Sequence, residues 1–311
     1  MPGRARILIL ALLSALLLAA LAACGDDSQT GSDGDKLNVV ATTTQVADLT
    51  RNVGGDLVEV DAILESGADP HDYEPRPSDA AALAGSALVV RSGGDVDAWL
   101  DDLIESSGSD GEVVDLLGSV ETVDVGSETD PHWWQDPRNA ILAVQAIRDA
   151  LIEADPGHRK GYIDNAAAYV EKLERLDSQA AACFERVSAA RRKIVTTHDA
   201  FSYLADRYDI EIVGSVIPSL STQAQPSAKD VERLVGQIED ERVEAVFPES
   251  GVSERLEQAL SREAGAEVGA DLWADTLGEP GTVEGTYIGA MAANVAALVD
   301  GMTGGELDCR P

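Results

Sequence analysis

HRKGYIDNAAAYVEKLERLDSQAAACFERV, residues 158–187, is the stretch that decides the fold. It contains no proline and a single glycine, and its apolar and small side chains recur every three or four positions: Tyr162, Ala166, Tyr169, Leu173, Leu176 and Ala180. This spacing predicts one continuous helix of about 45 Å, since an α-helix rises about 1.5 Å per residue. Such a length suits a spine between two lobes better than a surface helix of one lobe.

Apolar, strand-like runs alternate with amphipathic segments on both sides of this helix. The predicted strands are Leu37–Ala41, Val58–Leu64, Ala87–Val90 and Thr122–Val125 before it, and Ile194–Thr196, Ile210–Val216, Val243–Phe247 and Ala266–Val268 after it. Alternation of strands and helices is typical of parallel sheets. We therefore predict an α/β protein in which two parallel-sheet lobes are joined by one long helix. The predicted bounds are 36–156 for the N-terminal lobe, 157–189 for the linking helix and 190–311 for the C-terminal lobe.

Two further helix signals fall in the second lobe. Ser227 followed by Asp230 predicts a capping box, and the apolar pattern of residues 283–299 predicts a last helix.

Only four histidines occur in the 311 residues, and three of them lie in short polar segments. His71, His132 and His198 each follow a predicted strand, where ligands bind in open α/β sheets. Imidazole suits zinc and neighbouring transition metals, so these three are candidate metal ligands in the cleft between the lobes. The fourth, His158, lies at a helix start and is expected to bind nothing.

A fourth ligand is expected after the last strand of the second lobe. Asp275 lies there, in a polar segment with turn character, and Asp271 and Glu279 are its nearby competitors. Three imidazoles and one carboxylate would complete a tetrahedral zinc shell.

The amino terminus indicates export. Residues 1–23 combine a basic start with an apolar run and predict a secretory signal peptide, although an apolar run can also be a membrane anchor. Small residues before Cys24 resemble the lipobox of bacterial lipoproteins, so Cys24 is the predicted lipidation site and would hold the protein to the outer face of the cytoplasmic membrane. The polar stretch 24–35 is a predicted flexible tether.

Cysteine content and charge narrow the interpretation further. Apart from Cys24 the chain has Cys183 and Cys309, an even pair that could form a disulfide in an oxidising compartment or remain as two thiols. The formal net charge of −33 argues against a nucleic-acid partner, because phosphate binding needs clustered basic residues.

Four ordered motifs carry a family resemblance: DPHDYEPRPSD at 69–79, DPHWWQDPRNA at 130–140, THDAFSYLADRY at 197–208 and DLWADTLG at 271–278. From about Leu37 onward the chain resembles the zinc- and manganese-binding lipoproteins of bacterial ABC importers. The resemblance implies a metal ion held between the lobes by His71, His132, His198 and Asp275. It also implies a permease and its ATPase as partners, and we expect a monomer.

The transported ion is expected to be Zn(II), because three imidazoles and one carboxylate suit tetrahedral zinc whereas manganese prefers more oxygen ligands. Mn(II) is the alternative, since a bidentate Asp275 would make a five-coordinate manganese site. Other hypotheses are a metal-containing adhesin and, less favoured, a zinc hydrolase, for which a fourth protein ligand leaves no open position.

Residues beside the ligands have structural roles in this interpretation. Asp72, Asp136 and Asp199 could accept the second imidazole N–H or cap helices, and Trp133 and Trp134 are expected to pack at the lobe interface.

Overall fold

The computed structural model describes residues 36–253 and 255–311. The predicted signal peptide (1–23), the lipidation site Cys24 and the tether (24–35) lie outside the described residues. Residues from Leu37 to Pro311 form one compact unit. Within the described part of the chain, no helix is both long and apolar enough to cross a bilayer.

The first lobe is built on a four-stranded parallel sheet. Its strands are β1 (Leu37–Ala41), β2 (Val58–Ala62), β3 (Leu88–Arg91) and β4 (Glu112–Asp115), in the spatial order β2-β1-β3-β4. Both central strands are buried along most of their length, at residues 39–41 of β1 and 88–90 of β3, as expected where helices cover both faces. The connecting helices are α1 (Thr44–Gly54), α2 (Pro77–Ala84) and α3 (Leu100–Ser107).

The predicted fourth strand of this sheet, Thr122–Val125, is wrong. That segment contributes only β5 (Asp124–Val125), which pairs antiparallel with β6 (Glu128–Thr129) in a small hairpin. The real edge strand, β4, is largely exposed and therefore lacks the apolar run by which a buried strand is identified.

The second lobe repeats the architecture. Its strands are β7 (Lys193–His198), β8 (Glu211–Ile217), β9 (Ala245–Phe247) and β10 (Glu267–Val268), all parallel and in the order β10-β9-β7-β8. Its connecting helices are α6 (Ser202–Tyr208), α7 (Ala228–Glu241) and α8 (Arg255–Ala264). The predicted capping box is present at α7, where Ser227 and Asp230 exchange side-chain to backbone hydrogen bonds.

Three longer helices complete the fold: α4 (Pro137–Ala154), α5 (Arg159–Glu185) and α9 (Tyr287–Met302). Helix α5 packs against α1 and α4 of the first lobe and against α9 of the second. Helix α5 is the predicted spine, with 27 residues, and its buried face is the one the spacing indicated. Helix α9 begins at Tyr287 and not at Val283, because Thr286 caps its first turn and Val283 is 71% exposed.

One apolar core runs through both lobes. Leu49 of α1, Leu173 of α5, Phe247 of β9 and Leu298 of α9 belong to the same buried cluster. The C-terminal segment is tied to α5 by a disulfide between Cys183 and Cys309, whose Cα atoms are 5.6 Å apart. The long helix therefore packs into a core that both lobes share, and does not simply link two independent domains.

Candidate metal site

Four loops bring the candidate ligands together. His71 lies in the 3-10 turn Pro70–Asp72 after β2, and His198 is the last residue of β7. Asp275 follows β10, as expected. His132 was expected after a parallel strand, and that is wrong: it follows the β5–β6 hairpin and precedes the 3-10 turn Trp133–Gln135.

The donor atoms of these four residues all lie within 4.8 Å of one another. The Nε2 atom of His132 is 3.4 Å from that of His71 and 3.3 Å from that of His198. The Asp275 carboxylate reaches the same three atoms, with Oδ2 3.6 Å from His71 and 3.3 Å from His198, and Oδ1 3.4 Å from His132. Three ring nitrogens that converge on one point beside a carboxylate are typical of a metal-binding centre.

The spacings between the ring nitrogens can be compared with the edges of a tetrahedral metal shell. A regular tetrahedron has edges about 1.63 times its centre-to-corner distance, so bonds of about 2.0–2.1 Å give edges of about 3.3–3.4 Å. The two measured nitrogen–nitrogen edges, 3.4 and 3.3 Å, lie in that range. The three contacts of Asp275, at 3.3–3.6 Å, involve both of its carboxylate oxygens and are therefore not edges of a single tetrahedron. The competitors Asp271 and Glu279 are exposed and do not belong to the cluster, and His158 instead pairs with Asp155 at the end of α4.

The two Asp-Pro-His motifs form the same local turn. Asp69 Oδ1 accepts the backbone N–H of His71, and Asp130 Oδ1 accepts that of His132, both at 2.9 Å. In the second motif the same oxygen also accepts the ring Nδ1–H of His132, at 2.7 Å. In the first motif the Asp69 carboxylate makes no hydrogen bond to the ring Nδ1 of His71, and its Oδ2 accepts the hydroxyl of Thr222 instead.

Buried carboxylates orient two of the three imidazoles. Asp130 binds Nδ1 of His132, and Glu249 binds Nδ1 of His198 at 2.6 Å and its backbone N–H at 3.0 Å. A carboxylate on Nδ1 leaves Nε2 free as the metal donor and fixes the ring plane. Sequence reasoning missed both residues in this role. A usable signal existed for Glu249, since it follows strand β9 as closely as the ligands follow theirs.

The three aspartates considered for that role do other things. Asp136 caps α4 by accepting the backbone N–H of Arg138, as the capping alternative predicted. Asp199 accepts the hydroxyl of Ser215, and Asp72 is exposed. None of the three bonds to an imidazole ring among the described residues.

The loop that carries Asp275 is bound to the first lobe on both sides. Before it, the carbonyl of Ala274 accepts hydrogen bonds from the side chains of Trp134, Gln135 and Gln45. After it, residues 276–277 bond to Thr44, Ser66 and Gly67. Trp133 and Trp134 are both fully buried, in keeping with the packing role expected of them. Although Asp275 belongs to the second half of the chain, its position is set by the first lobe.

Burial and neighbouring charges shift the pKa values of three of the four cluster residues. Burial alone would lower the pKa of His198, but Glu249 and Asp275 on opposite sides of the ring raise it well above its ordinary value. Burial lowers the pKa of His71, against the attraction of Asp275. Burial would raise the pKa of Asp275, yet His198 and the other two histidines hold it well below its usual range. The carboxylate is therefore an anion at neutral pH and available to a cation.

Comparisons with known proteins show the family of the chain. Residues 39–301 match the family described as ZnuA, Zinc-uptake complex component A periplasmic. The metal ABC transporter substrate-binding lipoprotein SsaB of Streptococcus sanguinis is 33% identical over 82% of this chain and 86% of its own length. The manganese ABC transporter substrate-binding lipoprotein PsaA of Streptococcus pneumoniae is 32% identical over 82% of this chain and 85% of its own.

Among solved structures, the periplasmic zinc-binding protein TroA of Treponema pallidum superposes with a TM-score of 0.81. It has 26% sequence identity and covers 86% of this chain and 99% of its own. Fold, site and sequence together define a metal-binding substrate-binding protein of ABC transporters, and not an enzyme. The chain belongs to the ZnuA family.

Proposed function

We propose that this protein captures Zn(II) outside the cytoplasmic membrane and delivers it to the permease of an ABC importer, powered by that importer's ATPase. The ion is held by His71, His132, His198 and Asp275. In this proposal the protein is a monomer anchored by lipid on Cys24. The observation that carries it is the set of separations of 3.3–3.6 Å between the Nε2 atoms of three buried histidine side chains and the carboxylate oxygens of Asp275.

Zinc is favoured by the donor set. Three nitrogens and one carboxylate oxygen are the ligands of tetrahedral zinc, and two of the imidazoles already carry their orienting carboxylates. Four protein ligands leave no open position for an activated water, which supports a carrier and argues against hydrolysis.

Manganese is the second candidate, and one observation favours it. Both oxygens of Asp275 face the three imidazoles, and Oδ1 has no hydrogen-bond partner among the described residues. Bidentate binding by this carboxylate would give a five-coordinate shell with the higher oxygen share that manganese prefers. The manganese name of the pneumococcal relative is in line with this alternative.

Calorimetric titration of the metal-stripped protein, in competition with a chelator, tests both candidates. We expect one zinc ion to bind per chain and manganese to bind much more weakly. Comparable affinities would favour a protein that carries either ion, and absence of binding would refute the proposal. His158→Ala is the matched control, since it removes an exposed imidazole that contacts Asp155 and leaves the cluster intact.

The behaviour of the metal-free protein separates a carrier from a metal-containing adhesin. A structural metal holds its domain folded, so chelation would unfold an adhesin of that kind. A carrier must release its ion and stay folded. We expect the circular dichroism spectrum to be retained after chelation, and collapse of the spectrum would favour the adhesin.

Release is proposed to separate His198 from the other three ligands. The loop of Asp275 is bound to the first lobe through Ala274 and its neighbours, whereas His198 is held by Glu249 within the second sheet. A shift of the second lobe would therefore leave a three-ligand site of lower affinity. Spin labels at the exposed positions Glu105 and Glu239 report this motion by electron–electron distance measurement. Identical distance distributions for loaded, metal-free and permease-docked protein would contradict it.

A further inference from the structure

The imidazole of His71 lacks the orienting carboxylate that the imidazoles of His132 and His198 have. His71 has a fully buried side chain, yet its Nδ1 atom has no hydrogen-bond partner among the described residues. Metal-binding histidines almost always donate this second N–H to a carboxylate, a carbonyl or water. A buried donor without an acceptor destabilises the folded protein, so an acceptor is expected once Nε2 is engaged by a metal ion.

One carboxylate faces the orphan nitrogen. The Oδ2 atom of Asp95 lies 3.9 Å from Nδ1 of His71, just beyond hydrogen-bond range. The Asp95 side chain is 71% exposed, whereas Asp130 and Glu249, which serve the other two rings, are 0% and 2% exposed. Its side chain therefore has room to close the gap by rotation.

The backbone that presents Asp95 is fixed. Gly93 and Gly94 have φ values of 94° and 73°, in the left-handed region that favours glycine. A Cβ atom on Gly94 would lie 2.9 Å from Cβ of Pro131, the residue before the ligand His132. The turn thus packs directly against the second ligand loop, and no larger residue fits there.

A buried carboxylate also holds the same turn in place through hydrogen bonds. Asp97 is fully buried and accepts the backbone N–H groups of Ser92 and Gly93 together with the hydroxyl of Thr42. The turn Gly94–Asp97 also packs on the turn that carries His71. The position of the Asp95 Cα atom is thereby set, and only its side chain is adjustable.

We propose that Asp95 is a positioning residue for His71: its carboxylate accepts the Nδ1–H of His71 in the loaded protein and completes a third imidazole–carboxylate pair. This inference rests on the proposed function. Because the acceptor is exposed and movable, His71 is the ligand with the weakest support. The Asp95 contact therefore slows spontaneous loss of the ion in solution, a process separate from the release by lobe movement proposed above. The buried pairs at His132 and His198 define the geometry of the shell.

Release kinetics of the zinc-loaded protein test the proposal, with excess chelator as trap and stopped-flow detection. Loss of an outer carboxylate at a metal site lowers affinity about 10–100-fold. Because the Asp95 carboxylate is exposed, we expect the loss of affinity in Asp95→Ala to lie at the lower end of this range. Expressed as a rate, zinc should leave this variant about ten times faster than it leaves the wild-type protein. Asp95→Asn retains an acceptor oxygen and should show a smaller acceleration. Asp72→Asn is the matched control, since it removes the same charge from an exposed residue adjacent to His71 whose side chain makes no ring contact among the described residues.

A second readout identifies the hydrogen bond itself. In zinc-loaded protein labelled with 15N-histidine, the Nδ1–H proton of His71 should be visible by NMR, and in Asp95→Ala it should exchange much faster with solvent. Equal acceleration of release by Asp95→Ala and Asp72→Asn would show an effect of charge alone and overturn the proposal, as would unchanged release and unchanged exchange. Failure of the wild-type protein to bind zinc would instead refute the proposed function.

Discussion

Replacing Glu249 by glutamine tests how much the buried carboxylate behind His198 contributes to metal binding. Glu249 is 2% exposed, and its two oxygens accept the backbone N–H and the ring Nδ1–H of His198, at 3.0 and 2.6 Å. A glutamine offers one oxygen, so its amide NH2 must face one of these two N–H groups. Two buried donors would then meet, and the negative charge that makes the imidazole a stronger ligand is lost.

The expected cost is a 10–100-fold loss of zinc affinity, about 1.4–2.8 kcal/mol. It is measured as the dissociation constant in chelator competition, with the thermal melt of the metal-free variant showing that the fold is kept. Asp199→Asn is the control, because it removes a charge next to His198 from a carboxylate that contacts Ser215 and not the ring. An affinity of Glu249→Gln within twofold of wild type, or an equal loss in Asp199→Asn, would refute the reasoning.

Three further outcomes follow from the geometry. His132→Ala should weaken zinc binding by orders of magnitude, since this ring meets all other ligands, and His158→Ala should leave it unchanged; equal losses in calorimetry would contradict the site. Because His198 has a raised pKa in the metal-free protein, its proton must leave when zinc binds at neutral pH, so affinity should rise with pH up to that raised pKa. Calorimetry in buffers of different ionisation enthalpy should detect about one released proton per zinc, and none would contradict the raised pKa. Replacing both Cys183 and Cys309 by serine should lower the free energy of unfolding by about 2–5 kcal/mol, since the bridge closes a long loop; an unchanged urea midpoint would count against it.

The sequence predicts the fold wherever one signal is long and periodic. The spacing of Tyr162, Tyr169 and Leu173 predicts the 27-residue helix because a buried stripe must recur with the helical period. The edge strand Glu112–Asp115 could not be found in that way. Its residues are mostly exposed, and its place in the sheet depends on parallel pairing with Leu88–Arg91, which is a tertiary contact.

The metal ligands can be recognised from local sequence, whereas the residues that orient them depend on tertiary contacts. His71, His198 and Asp275 are indicated by their place after strands, and His132 lies at the centre of the cluster although the strand expected before it belongs to a hairpin. Glu249 reaches His198 across 51 positions of sequence because β9 pairs with β7, so its role follows from strand order and not from any local motif.

We propose that one zinc ion is held by four protein residues between the lobes. The most direct test is a crystal structure of the zinc-loaded protein with anomalous diffraction data collected on both sides of the zinc absorption edge. We expect a single strong anomalous peak about 2.0–2.2 Å from Nε2 of His71, His132 and His198 and from a carboxylate oxygen of Asp275. A peak elsewhere, or one that lacks any of these four ligands, would contradict it.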